Sequence, residues 1–166
     1  CLAVFLNGKH IMNVSNVLNV LVVSDIHYAG PAEKERGWKE AAIVRNPLLR
    51  LGVRAYRHYV WRRDPFAHNY LLDRFLSQAP DADLVIANGD YSCDTAFVGL
   101  CDDASFQSAQ ECVARLRRAF GSKMHLTIGD HELGKMSLFG RCGGLRLASW
   151  RRTVNELNLL PIWRLE

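Results

Sequence analysis

The sequence has 166 residues, 49% of them hydrophobic and 23% charged, with a formal net charge of +4. This length suits one domain with a core of its own, and the composition excludes collagen-like, low-complexity and wholly disordered chains. A balance so mildly basic also argues against a dedicated nucleic-acid binder. In chain order, the first apolar run, Leu2–Leu6, is too brief for the core of a signal peptide. The uncharged stretch Ile11–Ser24 carries Asn13, Asn16 and Asn19 and is too short and polar to span a bilayer, so no transmembrane segment is expected. Asn19–Ser24 is a β-branched run closing in a polar cluster, the pattern of a buried parallel strand. Ala82–Ala87, ending at Asn88-Gly89-Asp90, and Lys123–Ile128, ending at Gly129-Asp130-His131, repeat it.

Helical patterns fill the gaps. Pro65–Gln78 follows an Asp64-Pro65 start signal and places Phe66, Tyr70, Leu71, Phe75 and Leu76 on one stripe. Ser105–Phe120 has Ser105 as its candidate N-cap, a Val113/Leu116/Phe120 stripe and Gly121 as its stop. Leu147–Leu157 reads as a third helix. Strands alternating with helices give an α/β chain. The exception is a basic helical insertion at about 31–63, broken in two at Pro47 and Gly52. Between Lys34 and Arg63 there are nine Lys/Arg against Glu35 and Glu40, a local +7, with Trp38, Tyr56, Tyr59 and Trp61 interleaved. It reads first as a solvated insertion whose aromatics cover the core, and second as a surface for nucleic acid or an anionic membrane.

The five cysteines, Cys1, Cys93, Cys101, Cys112 and Cys142, are odd in number and lack CxxC spacing. Reduced thiols in the cytoplasm are expected, not a disulfide framework or structural zinc. Met12 is a candidate natural start.

All three strands end in carboxylate-bearing loops: Asp25-Ile26-His27, Gly89-Asp90 and Gly129-Asp130-His131-Glu132. In a parallel sheet the carboxyl ends line one crevice, so Asp25, His27, Asp90, Asp130 and His131 would converge there. Three carboxylates and two imidazoles held together call for a cation among them, and a mixed O/N set suits Mn, Fe or Zn better than Ca. Asp25 and His27, two apart on a strand, would share a face. Gly89 and Gly129 would allow a tight turn and close backbone approach to a ligand. His68 reads as a surface residue, His125 as core, Asp94 as a structural hydrogen-bonder, and Cys93 has no convincing base partner.

Those three motifs, in that order after predicted strands, resemble the calcineurin-like metallophosphoesterase superfamily over roughly Val20–Gly134. The resemblance implies a four-layer α/β/β/α sandwich and hydrolysis of phosphate esters at a dinuclear metal centre, with a bridging hydroxide as nucleophile. It implies that Asp25 and His27 hold the first metal, that Asp90 bridges both, and that Asp130 holds the second. His131 would contact the scissile phosphate as general acid or transition-state stabiliser, and Lys135 is a weaker candidate for holding the phosphate. Asp130 stands where the family usually has Asn, which would strengthen metal binding and reduce Lewis acidity. The family's two later histidine blocks have no counterpart, since no His follows His131. The chain therefore reads as the N-terminal part of a single metallophosphoesterase domain, incomplete at its C-terminus and by itself inactive or weakly active. The alternative expectation is a non-catalytic module on the same fold that binds a phosphate ligand or a protein.

Overall fold

The computed structural model describes residues 2–6, 18–37, 39, 42, 44–60, 65–93, 98–134 and 144–159. The elements in chain order are β1 (Leu2–Leu6), β2 (Val20–Ser24), α1 (Pro31–Arg36), α2 (Pro47–Val60), α3 (Asn69–Gln78), β3 (Leu84–Ala87), α4 (Asp103–Phe120), β4 (Met124–Leu126), α5 (Asp130–Leu133) and α6 (Gly144–Asn155). One sheet runs in the order β1-β2-β3-β4. β2, β3 and β4 are parallel, with Val23 opposite Ala87 and Ala87 opposite Leu126, as the three apolar runs predict. β1 pairs antiparallel with β2, Leu2 opposite Ser24, and was not anticipated as a strand. The α/β class holds; the second sheet of a four-layer arrangement is not among the described residues.

Along β2, Leu21 and Val23 are buried while Val20, Val22 and Ser24 are half-buried, so one face is drier than the other. On the drier side, Val23, Ala87 and Leu126 pack with Phe106, Ala109, Cys112, Val113 and Leu116 of α4. Leu157 and Leu159, just past α6, join the same core. Apolar area removed from water here, at about 25 cal/mol per Å², is the main force holding α4 on the sheet.

Several helix boundaries differ from expectation. The N-cap of α4 is Asp102, not Ser105: Asp102 Oδ2 accepts from both the Ser105 amide and its hydroxyl at 2.9 Å. Both residue types cap well, and the earlier one also faces Arg36, whose guanidinium lies 2.8 Å away. Gly121 does stop the helix, at φ 57°. The segment 65–78 is a 3-10 turn, Pro65–His68, followed by α3, and the residue it buries is Leu72, whereas Tyr70 is exposed. The third helix begins at Gly144, ahead of Leu147. Pro47 starts α2, but Gly52 lies inside it and does not break it. A glycine costs a helix only about 1 kcal/mol, which 14 residues of helix absorb.

Candidate metal centre

The site begins where β2 and β3 stop. Asp25, His27 and Asp90 all have left-handed backbones, at φ 54°, 49° and 59°, and Gly89 sits at 77°. Such geometry is uncommon for residues with a Cβ and costs on the order of 1 kcal/mol each, a strain found mostly where function requires it. Both strands bend together and then pair again. The His27 amide donates to the Asp90 carbonyl at 2.8 Å, the Tyr28 amide to the Tyr91 carbonyl at 3.0 Å, and Tyr28 bridges to Ser92. Asp25 and His27 are therefore brought to one side by two left-handed residues, not by strand alternation, because the strand ends at Ser24.

The loops after β3 and β4 meet directly. A Cβ on Gly89 would fall on the Gly129 backbone, and a Cβ on Gly129 would fall on the Asp90 carboxylate. The close approach the glycines permit is thus to one another, where a ligand had been expected. Behind them lies Glu132, fully buried. Its Oε2 accepts from the Asp90 and Gly129 amides and its Oε1 from the Tyr91 amide, each at 2.8 Å. The Tyr91 hydroxyl adds a tie from below, lying 2.9 Å from the Ala87 carbonyl and 2.8 Å from that of Thr127. An acid following Asp130-His131 was visible in the sequence; its inward direction was not.

This frame converges His27, Asp90 and His131, with one ligand atom from each within 4.8 Å of the others. The two imidazoles meet edge to face at 4.6 Å. His27 Nδ1 is 3.3 Å from the Ser92 carbonyl, which can only accept, so Nδ1 carries the proton and Nε2 keeps its lone pair. Burial, and then the neighbouring His131, hold the His27 pKa below its ordinary value, against the pull of Asp90, the Ser92 carbonyl and Asp25. Burial pushes the Asp90 carboxyl up, with Asp130 adding to the rise, while His131 and His27 oppose it. The His131 amide donates to Asp90 Oδ1 at 3.2 Å. Two imidazoles and one carboxylate, desolvated together, suit the surroundings of a divalent first-row ion, with His27 and Asp90 as donors and His131 beside whatever that ion binds.

The other predicted residues stand around this trio. Asp25 is at the rim, exposed, with Oδ1 4.0 Å from His27 Nε2, and its Oδ2 accepts from the Ser24 hydroxyl at 2.7 Å. Asp130 opens α5, exposed, close enough for its charge to act on Asp90. Lys135 and Asp94 lie outside the described residues. His68 is exposed and His125 half-buried, neither of them at the centre.

A family model for calcineurin-like phosphoesterases matches residues 18–166. The chain belongs to the calcineurin-like phosphoesterase family. No curated protein and no solved structure matches it. The strand-end loops that carry the centre all fall inside the matched span, and the family is one of metal-dependent hydrolases acting on phosphate esters. Among the described residues no helix is long and apolar enough to cross a membrane.

Proposed function

We propose that this calcineurin-like phosphoesterase hydrolyses a phosphate ester at a dinuclear centre held by Asp25, His27, Asp90 and Asp130, with His131 on the phosphate. The observation that carries the reading is the convergence of His27, Asp90 and His131 on one point at the strand ends. Divalent ions bound there would neutralise phosphoryl charge and supply hydroxide at neutral pH. His27 is suited to hold one through its Nε2 lone pair, because burial keeps the ring neutral and Ser92 fixes its tautomer. Asp90, whose charge acts on both His27 and His131, is the natural shared ligand, and the flanking carboxylates of Asp25 and Asp130 enlarge the set enough for two ions. His131, buried and edge-on to His27, would steady the phosphoryl group and give a proton to the leaving alkoxide. The Gly89–Gly129 contact and Glu132 fix these groups before substrate arrives, and phosphoryl transfer asks mainly for such positioning. A reducing, cytoplasmic setting belongs to this reading, on the odd number of cysteines and their lack of CxxC spacing.

The test is Mn²⁺ loading with elemental analysis, beside hydrolysis of an aryl phosphate monoester and diester. Asp90→Asn keeps a residue that tolerates the left-handed backbone, so the fold should survive. Metal and hydrolysis should both be lost; hydrolysis left intact would sink the assignment. His131→Asn separates the roles, with metal retained and hydrolysis lost if His131 serves the phosphate. Metal bound by a protein that carries the family's later histidine blocks and yet hydrolyses neither ester would favour a phosphate-binding module.

A further inference from the structure

Helix α2 presents its apolar side to solvent. Leu48, Leu51, Tyr59 and Val60 are 79%, 65%, 66% and 60% exposed, and Tyr56 is exposed too. At 100° per residue, Leu48, Leu51 and Tyr59 fall on one stripe, with Ala55 between them. The residues that face the protein, Val53 and Arg57, lie on the opposite side of the helix. The stripe thus points directly away from the body of the protein. Exposed apolar residues scattered singly need no explanation, but several aligned on one helix mark a surface that meets something.

The surrounding charge says what. From residue 41 to residue 63 the sequence has six arginines and no Asp or Glu; Arg45 and Arg54 are exposed, whereas Arg57 is buried against the protein. Arg54 and His58 flank the stripe and are exposed, as is Arg45 just before the helix. Two leucines and a tyrosine along one stripe, with arginine at the flank, make up the pattern of a helix lying in a membrane interface. We propose that α2 seats the protein peripherally on an anionic lipid surface, with the Leu48–Leu51–Tyr59 stripe at acyl depth and Arg45 and Arg54 among the headgroups. A second copy fits less well, since two such faces would bring arginine against arginine. Nucleic acid would use the arginines but would gain nothing from leucines pointing at it.

The experiment is co-sedimentation of the full chain with vesicles of phosphatidylglycerol and phosphatidylcholine in equal parts, against phosphatidylcholine alone, at low and high salt. Partition into the anionic vesicles, weakened by salt, is expected. Leu48→Ser/Leu51→Ser should cut it by about tenfold or more. Arg45→Gln and Arg54→Gln should each cut it by about fivefold, the worth of one basic residue near an anionic surface. Circular dichroism checks that the variants fold. Amide hydrogen exchange on the unaltered chain gives an independent reading, with vesicle-dependent protection expected over residues 47–60. No partition at low salt overturns the proposal. So does partition that ignores the leucine pair, or that single-stranded DNA reproduces with the same arginine dependence, which would assign the face to nucleic acid. Concentration-dependent self-association abolished by the leucine pair, without vesicle binding, would assign it to a second copy.

Discussion

Glu132 holds Asp90 from inside the core: its Oε2 accepts from the Asp90 amide at 2.8 Å, and its side chain is wholly buried. Burial pushes the carboxyl up to about 7, while three backbone N–H groups favour the ionised form. Both oxygens must accept, so an amide is the wrong group here despite its matching shape. Glu132→Gln turns an NH₂ toward a backbone N–H and should destabilise the fold by about 1–3 kcal/mol. It should also weaken Mn²⁺ binding, because the Asp90 and Gly129 loops lose their common tie. Urea unfolding of the metal-free protein and a Mn²⁺ titration measure the two effects; an unmoved midpoint would deny the role given to Glu132.

The two glycines most distant in consequence are Gly129 and Gly52. A methyl on Gly129 meets the Asp90 carboxylate and backbone and the Glu132 carboxylate, none of which can move without releasing the others. Gly129→Ala should cost about 1–3 kcal/mol through overpacking and abolish metal binding. A methyl on Gly52 meets nothing within 4 Å, in the interior of α2. Gly52→Ala should therefore stabilise the protein by about 0.5–1 kcal/mol and leave the metal centre alone. Thermal melts of the pair decide this, and a Gly52→Ala variant that unfolds earlier than wild type would contradict it.

What was legible in the sequence is what local pattern encodes. The three parallel strands are short β-branched runs ending in polar turns, and both the periodicity and the polar stop survive into the fold. β1 was missed because Leu2–Leu6 is a short apolar run whose partner strand lies 14 or more positions away, a pairing that local pattern does not encode. The trio His27, Asp90 and His131 was among the residues expected to converge, yet the reason given for Asp25 and His27 was wrong, since left-handed backbone cannot be read from Asp or His. The part of Glu132 depends on a buried direction, which spacing does not encode. Ser105 and Asp102 both satisfied the capping rule, and only the tertiary contact with Arg36 distinguishes them.

The thiol of Cys112 should be inert in the native state. It is wholly buried on the α4 face that packs against the sheet, and burial, with Glu132 adding, pushes its pKa far up. Raising the pH to about 9 would leave it in the unreactive thiol form, because the thiolate is the nucleophile. Mass spectrometry after iodoacetamide treatment should find Cys112 alkylated only in urea. Rapid native labelling would mean that α4 lifts from the sheet far more often than its packing allows.

Asp25 separates strain from ligation. Its φ of 54° penalises a Cβ, and its carboxylate stands exposed at the rim of the centre, 4.0 Å from His27. Asp25→Gly and Asp25→Ala both delete the carboxylate, but only the glycine also relieves the backbone. The glycine variant should be more stable than the alanine variant by about 1 kcal/mol in the metal-free state. Both should bind Mn²⁺ equally poorly, since both lack the carboxylate proposed as a ligand. Chemical denaturation and Mn²⁺ titration of the two side by side test this. Equal stabilities would mean that the loop relaxes out of the left-handed form once the side chain is gone, and wild-type affinity in both would remove Asp25 from the ligand set. With the predicted result, the left-handed turn is a cost the fold bears in order to bring the Asp25 carboxylate to His27.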